Sequence, residues 1–214
     1  MQIIVLASQK GGAGKTTLAA HLAVAAEEAG VRPAVLIDTD PQGSLAAWWN
    51  ARQTDAPALA PCQIADLRPK LAALEKAGYR LVVIDTPPAI TDAIRSVVAL
   101  ADLVMIPARP SPHDLRAIGS TVSLVTGAGR PFVFALTQAK ANARLTVQAV
   151  AALSEHGTVS GAIIHDRVDF ASSMIDGRTV LEVDPKGRSA AEVRDLWTFV
   201  HNRLANSTKT RKTA

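Results

Sequence analysis

The sequence of 214 residues contains a single cysteine, Cys62, and only eight residues of the Phe, Trp and Tyr types. One thiol cannot form an internal disulfide, which excludes the class of small secreted domains stabilised by disulfides. It also cannot supply the several thiolates that hold an iron–sulfur cluster, which argues against an iron–sulfur reductase. The cysteine content predicts a protein of a reducing compartment, and we expect it in the cytoplasm.

Long hydrophobic runs are also absent. No stretch approaches the roughly 18 apolar residues of a membrane span. The first residues already resemble a buried strand, so we expect no signal peptide. Apolar residues make up 48% of the sequence, which suffices for a sizeable core, and the length fits one α/β domain.

Positive charge is scarce outside the last residues of the chain. The net charge is +4, and it falls to +1 without Lys209, Arg211 and Lys212. Such a balance permits binding to nucleic acid but does not establish it. We expect residues 1–205 to form one domain and residues 206–214 to form a polar, basic and disordered tail.

The most informative stretch is Lys-Gly-Gly-Ala-Gly-Lys-Thr-Thr over residues 10–17. An apolar run at 3–7 precedes it and an alanine-rich helical pattern over 18–28 follows it, which is the strand–loop–helix context of a phosphate-binding loop. Glycines let backbone N–H groups converge on an anion, and the helix N-terminus adds partial positive charge. Lys15 is placed to reach the terminal phosphates, and the Thr16 hydroxyl to ligate Mg²⁺.

Aspartates follow two further buried strands. Asp38 and Asp40 end a strand predicted over 33–37, and Asp85 ends one predicted over 80–84. Ligand chemistry in parallel α/β sheets collects beyond these strand ends, so one carboxylate could serve a metal while another handles water. Either Asp38 or Asp40 could instead be a turn residue that caps the next helix.

The loop departs from the common pattern, because Gln9 stands where a glycine is usual and a second lysine, Lys10, opens it. It resembles the deviant Walker A loop of the ParA/MinD ATPases, and the chain is most similar to their short, ParF-like branch. In that family the extra lysine reaches across a nucleotide-sandwich dimer. The resemblance implies catalytic roles for Lys10, Lys15 and Asp40, and Mg²⁺ ligation through Thr16, Asp38 and Asp85. It also implies ATP contacts from Lys10, Gly11, Gly12, Ala13, Gly14, Lys15, Thr16, Thr17 and, where relatives carry an asparagine, Gln138.

The alternation of strands and helices predicts a mostly parallel, twisted sheet flanked by helices, and the resemblance implies the P-loop NTPase fold. Further strands are expected over 102–107, 132–137 and 162–164, and further helices over 44–52, 65–77, 92–100, 141–155 and 190–205. Relatives carry basic residues in their C-terminal segment for sequence-independent DNA binding. The corresponding candidates here are Arg167, Arg178, Lys186, Arg188, Arg203, Lys209, Arg211 and Lys212, diluted by nearby Asp166 and Asp169.

The resulting hypothesis is a Mg²⁺-dependent ATPase that forms an ATP-bound homodimer, binds nucleoid DNA and positions a plasmid, chromosome or protein cargo. A ParB-like or small centromere-binding adaptor would stimulate hydrolysis. Because the loop begins at residue 10, we expect no preceding helix-turn-helix domain. Two alternatives stay open. One is a MinD-like membrane-associated regulator, although the tail lacks large apolar residues; the other is a metabolic ligase with the same loop.

His21 is interpreted as a packing or surface residue, and Trp48-Trp49 as one core and one half-exposed ring, or as a partner contact.

Overall fold

A computed structural model describes residues 1–141 and 143–212, with side chains given as far as residue 206. Three predicted DNA contacts, Lys209, Arg211 and Lys212, have side chains outside this description. Within the described residues there are seven strands and nine α-helices. The strands are β1 (Gln2–Leu6), β2 (Ala34–Asp38), β3 (Ala58–Leu59), β4 (Leu81–Asp85), β5 (Leu103–Ala108), β6 (Phe132–Ala139) and β7 (Val159–His165). The helices are α1 (Lys15–Glu28), α2 (Ser44–Asn50), α3 (Leu67–Lys76), α4 (Asp92–Val98), α5 (Pro112–Gly127), α6 (Arg144–Ser154), α7 (Val168–Ser173), α8 (Val180–Val183) and α9 (Arg188–Lys212).

The strands form one sheet in the order β3-β2-β4-β1-β5-β6-β7, and every neighbouring pair is parallel. The predicted fold class is therefore confirmed, and the sheet is parallel throughout rather than mostly so. Strand β1 lies between β4 and β5. The loop that follows β1 consequently emerges near the middle of the sheet, where the chain's crossovers diverge and ligands collect.

Successive residues of the central strands serve two separate apolar layers, because side chains alternate between the faces of a strand. Ile4 and Leu6 join the layer that contains α1, α2, α7, α8 and α9. Val5 and Ala7 join the layer formed with α3, α4, α5 and α6. A strand buried on both faces reads as a continuous apolar run, which is why these strands were recognisable from the sequence.

Several elements differ from the prediction. Helix α1 starts at Lys15, so the loop's lysine and threonines already lie in its first turn. The stretch between the predicted helices 44–52 and 65–77 contains the short edge strand β3, which pairs with Val35 and Leu36 of β2. Helices α7 and α8 occupy a segment for which no helix was predicted. Helix α9 extends beyond the predicted 190–205 at both ends.

The apolar face of α9 lies in the core. Its buried residues recur at helical spacing: Val193, Leu196, Trp197, Val200 and Leu204. Trp48 is buried and Trp49 half-buried, which agrees with the interpretation of one core ring and one partly exposed ring. In the part of the chain that the structure describes, no helix is both long and apolar enough to cross a bilayer.

Candidate functional site

The glycine-rich loop is held in place by the end of β6. Gly12 and Gly14 have φ angles of +72° and +89°, a backbone conformation that residues other than glycine rarely adopt. The Thr137 hydroxyl donates to the Ala13 carbonyl at 2.9 Å, and Gln138 Nε2 donates to the Gly12 carbonyl at 2.7 Å. Two loop carbonyls are thereby turned toward β6. This arrangement fits a loop whose N–H groups serve an anion.

Two lysines of the loop are connected through one backbone carbonyl. Lys15 is buried and its ammonium donates to the Lys10 carbonyl at 3.3 Å. Burial lowers the pKa of Lys15, while the negative charges of Asp85 and Asp40 act in the opposite direction. The Lys10 N–H donates to the Ser8 hydroxyl at 3.2 Å. Lys10 borders a small cavity against α5, whereas Lys15 lines the main cleft over the loop.

Thr16 and Asp85 meet at the point where a Mg²⁺ site was predicted. The Thr16 hydroxyl donates to Asp85 Oδ2 at 2.5 Å, while Asp85 Oδ1 is buried and has no hydrogen-bond partner among the described residues. Burial raises the pKa of Asp85 to about 7, and the Thr16 hydrogen bond opposes that shift. A buried carboxylate oxygen without a partner, beside a hydroxyl, fits a hard divalent cation. Thr16 and Asp85 would hold the ion, which would neutralise charge on the phosphates.

Asp38 lies beside Asp85, since the two are register partners on neighbouring strands. Its carboxylate oxygens accept the N–H groups of Asp40 and Ala46, each at 3.0 Å. Ala46 belongs to the first turn of α2, so Asp38 holds that helix in the way the turn-residue alternative described. Metal ligation by Asp38 remains a prediction, while its contact with α2 is present in the structure.

Asp40 lines a cleft of about 440 Å³ together with Gly11, Gly12, Gly14, Lys15, Thr16, Thr17, Gln42, Ser44, Pro88, Gln138 and Met174. Its Oδ1 accepts the Gln42 N–H at 3.0 Å, which orients the carboxylate within the turn before α2. The structure thus brings Asp40 to the same cleft as Lys15 and Thr16. These are the kinds of group that phosphoryl transfer to water requires: a cation, a hydroxyl and carboxylate suited to a metal ion, and a carboxylate that could orient the water.

A second cavity of about 220 Å³ continues from the first and shares Gly14, Thr17, Gln138 and Met174 with it. Leu18, Ile164 and Phe170 supply apolar walls, and His165, Asp166 and Arg167 complete the lining. An apolar slot beside a phosphate loop suits a nucleobase. Gln138 was predictable from the sequence, but the apolar walls were not, because these residues carry no motif and come from separate elements. Gln138 has a φ of +51° and its amide N–H contacts Gly12, so adenine contact remains a prediction.

Helix α5 braces the loop from the other side, a contact that the sequence did not reveal. Arg109 donates through Nε and Nη2 to the buried Asp114 carboxylate at 2.5 and 3.1 Å. Its Nη1 lies 3.7 Å from the position that a Gly12 Cβ would occupy. The Thr121 hydroxyl accepts the Gln9 N–H at 3.2 Å.

The residues predicted to contact DNA each make different contacts in the structure. Arg167 donates to Glu192 at 2.6 Å, and Arg178 pairs with Asp176 at 2.6 Å. Lys186, Arg188 and Arg203 are exposed, and Arg203 Nη2 donates to the Thr158 hydroxyl at 3.1 Å. Arg167 lines the second cavity, and the Glu192 carboxylate offsets its charge.

His21 is wholly buried, which agrees with the packing interpretation. Its Nδ1 lies 2.7 Å from the Thr17 carbonyl, and its Nε2 accepts the Val180 N–H at 3.2 Å. Both ring nitrogens of the neutral Nδ1–H tautomer are thus satisfied, and the ring packs on Phe170 with centroids 5.3 Å apart. His21 links the phosphate-loop helix to α7 and α8.

This burial predicts acid sensitivity. The pKa of His21 is lowered from 6.5 to about 4, chiefly because burial disfavours the charged ring. The unfolded chain therefore binds more protons between these pH values, so the stabilisation is present above pH 6.5 and is lost as the pH falls toward 4. From pH 7 to pH 5 we expect this residue to lower the free energy of unfolding by about 2 kcal/mol. Urea unfolding gives the loss of unfolding free energy between pH 7 and pH 5, and this loss should be smaller by that amount in His21→Gln than in the wild type. An equal loss in both proteins would contradict the assignment.

A glycine-rich loop after the central strand of a parallel sheet, with a lysine, a Thr–Asp pair and a continuous cleft, defines a P-loop nucleotide-binding protein. The family described as the CobQ/CobB/MinD/ParA nucleotide binding domain matches residues 4–180, and the chain belongs to this family. The expected ParA/MinD type is confirmed.

Two relatives share the name "Maintenance of carboxysome distribution protein A". The protein of Gloeobacter kilaueensis is 41% identical over 122 residues, which cover 56% of this chain and 55% of the relative, so the match spans just over half of that protein. The protein of Halothiobacillus neapolitanus is 28% identical over 200 residues, covering 88% of this chain and 91% of the relative. Among solved structures, an ATP complex of a Cyanothece McdA variant superposes with a TM-score of 0.78 at 18% identity, covering 96% of each chain. That likeness shows the fold.

Proposed function

We propose that this protein is a Mg²⁺-dependent ATPase that dimerises around ATP and positions a large cargo, with partner-stimulated hydrolysis resetting the cycle. The observation that carries the proposal is the meeting of Lys15, the Thr16–Asp85 pair and Asp40 at one cleft. A nucleobase-sized slot continues from that cleft. We expect turnover to be slow, as suits a switch rather than a metabolic ligase.

A second copy of the chain is part of the proposal because of Lys10. This lysine belongs to the loop, yet it is not among the residues that line its own phosphate cleft. Its side chain is half-buried on the α5 side of the loop. A cation placed beside one cleft can stabilise charge on phosphates presented by a partner, where charge develops in the transition state.

The cargo is proposed from the relatives' names, which refer to carboxysome distribution. We propose a protein assembly as the cargo in preference to a plasmid or chromosome, and an adaptor on that assembly as the hydrolysis-stimulating partner. Non-specific DNA would be the track for the ATP-bound dimer, with Lys186, Arg188 and Arg203 as its exposed candidate contacts. The expected location is the cytoplasm, on the nucleoid when ATP is bound.

The Lys10→Ala variant tests the dimer. With Mg²⁺ and a non-hydrolysable ATP analogue, light scattering should show the wild-type chain at twice its monomer mass. Lys10→Ala should bind ADP within about twofold of wild type but dimerise at least tenfold more weakly, because a partner cation is lost. Lys76→Ala, which removes an exposed lysine on α3, is the matched control. Binding to DNA should require the ATP analogue and should be weakened in the variant that dimerises weakly. Equal dimerisation of all three proteins would refute this role of Lys10.

A further inference from the structure

The C-terminal end of α2 is fastened to the segment between α7 and α8 by a buried arginine. The Arg52 side chain is 3% exposed, and its Nη1 and Nη2 donate to Glu182 Oε2 and Oε1 at 3.2 and 2.7 Å. Nη1 also donates to the Gly177 carbonyl at 2.6 Å, and Nη2 to the Ala56 carbonyl at 2.8 Å. We call Arg52, Glu182, Gly177 and Trp48 the clasp.

The other members of the clasp tighten the same junction. Trp48 Nε1 donates to the Arg178 carbonyl at 3.0 Å, and the Arg52 guanidinium lies 4.8 Å from the Trp48 ring centroid. Glu182 Oε2 also accepts the Thr179 N–H at 2.8 Å, which closes the first turn of α8. Partial burial would raise the pKa of Glu182, but the Arg52 hydrogen bonds and charge outweigh it and the pKa is lowered. Glu182 is therefore an anion at neutral pH.

Stability alone does not account for the clasp. Arg52 Nε is buried without a hydrogen-bond partner among the described residues, and an unsatisfied donor on a buried charge is costly. The Glu182 side chain is 29% exposed, and ion pairs that are partly open to solvent commonly contribute little net stability. The clasp instead fixes the position of α2 relative to the segment that contains Gly177 and Glu182. Gly177, at φ +76°, lies so close to α2 that an added Cβ would fall 2.4 Å from the Arg52 backbone nitrogen.

The two sides of the clasp lead to the two cavities of the site. On one side, Phe170 and Met174 line the nucleobase slot, and Gly177 is three residues beyond Met174. On the other side, α2 follows directly after the turn that holds Asp40 and Gln42. Helix α2 has seven residues, a rod of about 10 Å. A displacement of the slot's wall would thus be carried by α2 toward the turn that holds Asp40.

We propose that Arg52 and Glu182 couple the nucleobase slot to the Asp40 turn, so that a nucleoside in the slot sets the position of the hydrolytic carboxylate. This inference rests on the proposed nucleotide binding. Arg52 and Glu182 are positioning residues, because neither lines the phosphate cleft nor the nucleobase slot. The chain would then respond to the nucleoside portion of ATP, as well as to its phosphates, when it sets the rate of hydrolysis.

The test compares Mg-ADP with Mg-pyrophosphate at saturation, since both lack a γ-phosphate and differ by the nucleoside. Hydrogen–deuterium exchange of peptides covering residues 46–53 should slow about tenfold with ADP relative to pyrophosphate in the wild-type chain. In Glu182→Gln the two ligands should differ by less than twofold, although calorimetry still shows ADP binding. Glu28→Gln, which removes the exposed Glu28–Arg194 pair at 2.7 Å, is the matched control and should behave as wild type.

Turnover separates positioning from simple destabilisation. Glu182→Gln should lower kcat for ATP about fivefold or more while KM stays within twofold, measured well below its thermal midpoint. Arg52→Lys, which keeps the charge but loses the planar fork, should give the same split if Glu182→Gln fails to fold. Equal ADP protection of residues 46–53 in the variant and wild type would overturn the coupling. Failure of ADP to bind the wild-type chain would overturn the proposed function itself, and calorimetry distinguishes the two results.

Discussion

Replacing Asp40 by alanine is expected to slow ATP turnover by about 100-fold or more and to leave the ATP-bound dimer intact. Asp40 lines the phosphate cleft with Lys15 and Thr16, and the Gln42 N–H fixes the direction of its carboxylate. It is the carboxylate best placed to orient or deprotonate water there. Its removal eliminates a negative charge beside bound phosphates, so affinity for ATP should be kept or improved.

The measurement is phosphate release in a single turnover, with light scattering on the same sample. Asp40→Ala should stay at dimer mass with ATP for as long as hydrolysis is blocked, whereas the wild-type dimer decays. Asp55→Ala removes an exposed carboxylate from the loop after α2 and serves as the control. Turnover within twofold of wild type would remove Asp40 from the mechanism.

Asp85→Asn should have opposite effects on activity and stability. The amide cannot provide an anionic oxygen for Mg²⁺, so Mg²⁺-dependent turnover should fall by about 100-fold or more. The same change removes a buried negative charge whose Oδ1 has no hydrogen-bond partner in the described structure. Without nucleotide and Mg²⁺, we expect the variant to gain about 2 kcal/mol of unfolding free energy at pH 8.5.

The gain should depend on pH with a defined sign. The pKa of Asp85 is raised to about 7 in the fold, so the native state binds more protons than the unfolded chain between its ordinary pKa of 3.8 and 7. The wild-type carboxyl thus costs stability as the pH rises through 7 and costs little at pH 4. Urea unfolding should therefore show the advantage of Asp85→Asn at pH 8.5 and a much smaller one at pH 4.5. An equal advantage at both values would show that charge is not the cause.

Local spacing made the phosphate loop predictable. Residues 10–17 are contiguous, and the apolar run before them and the alanine-rich helix after them identify the context without knowledge of the fold. Asp38 and Asp85 were recognisable because each ends an apolar strand, and parallel strands deliver their ends to one edge. These inferences need only periodicity and the rule for parallel sheets.

Other parts of the site depend on contacts between distant segments. Ile164, Phe170 and Met174 look like ordinary core residues, and only the fold brings them to one cavity with Thr17. The Arg109–Asp114 pair is close in sequence, but its approach to Gly12 is not. The engagement of both Asp38 oxygens by backbone N–H groups depends on how α2 leaves its turn.

The helix behind the phosphate loop limits where this protein can flex. Helix α1 is enclosed on nearly all sides, and alanines at 19, 20 and 23 are fully buried against neighbouring elements. A larger side chain there would overpack the interior by about 1–3 kcal/mol. The base of the loop is consequently held in place by its surroundings. We expect the movements that admit and release nucleotide to occur in the outer walls of the site, α2 and the α7–α8 segment. Substitutions that alter the residence time of nucleotide should therefore cluster in those walls rather than in α1 at the base of the loop.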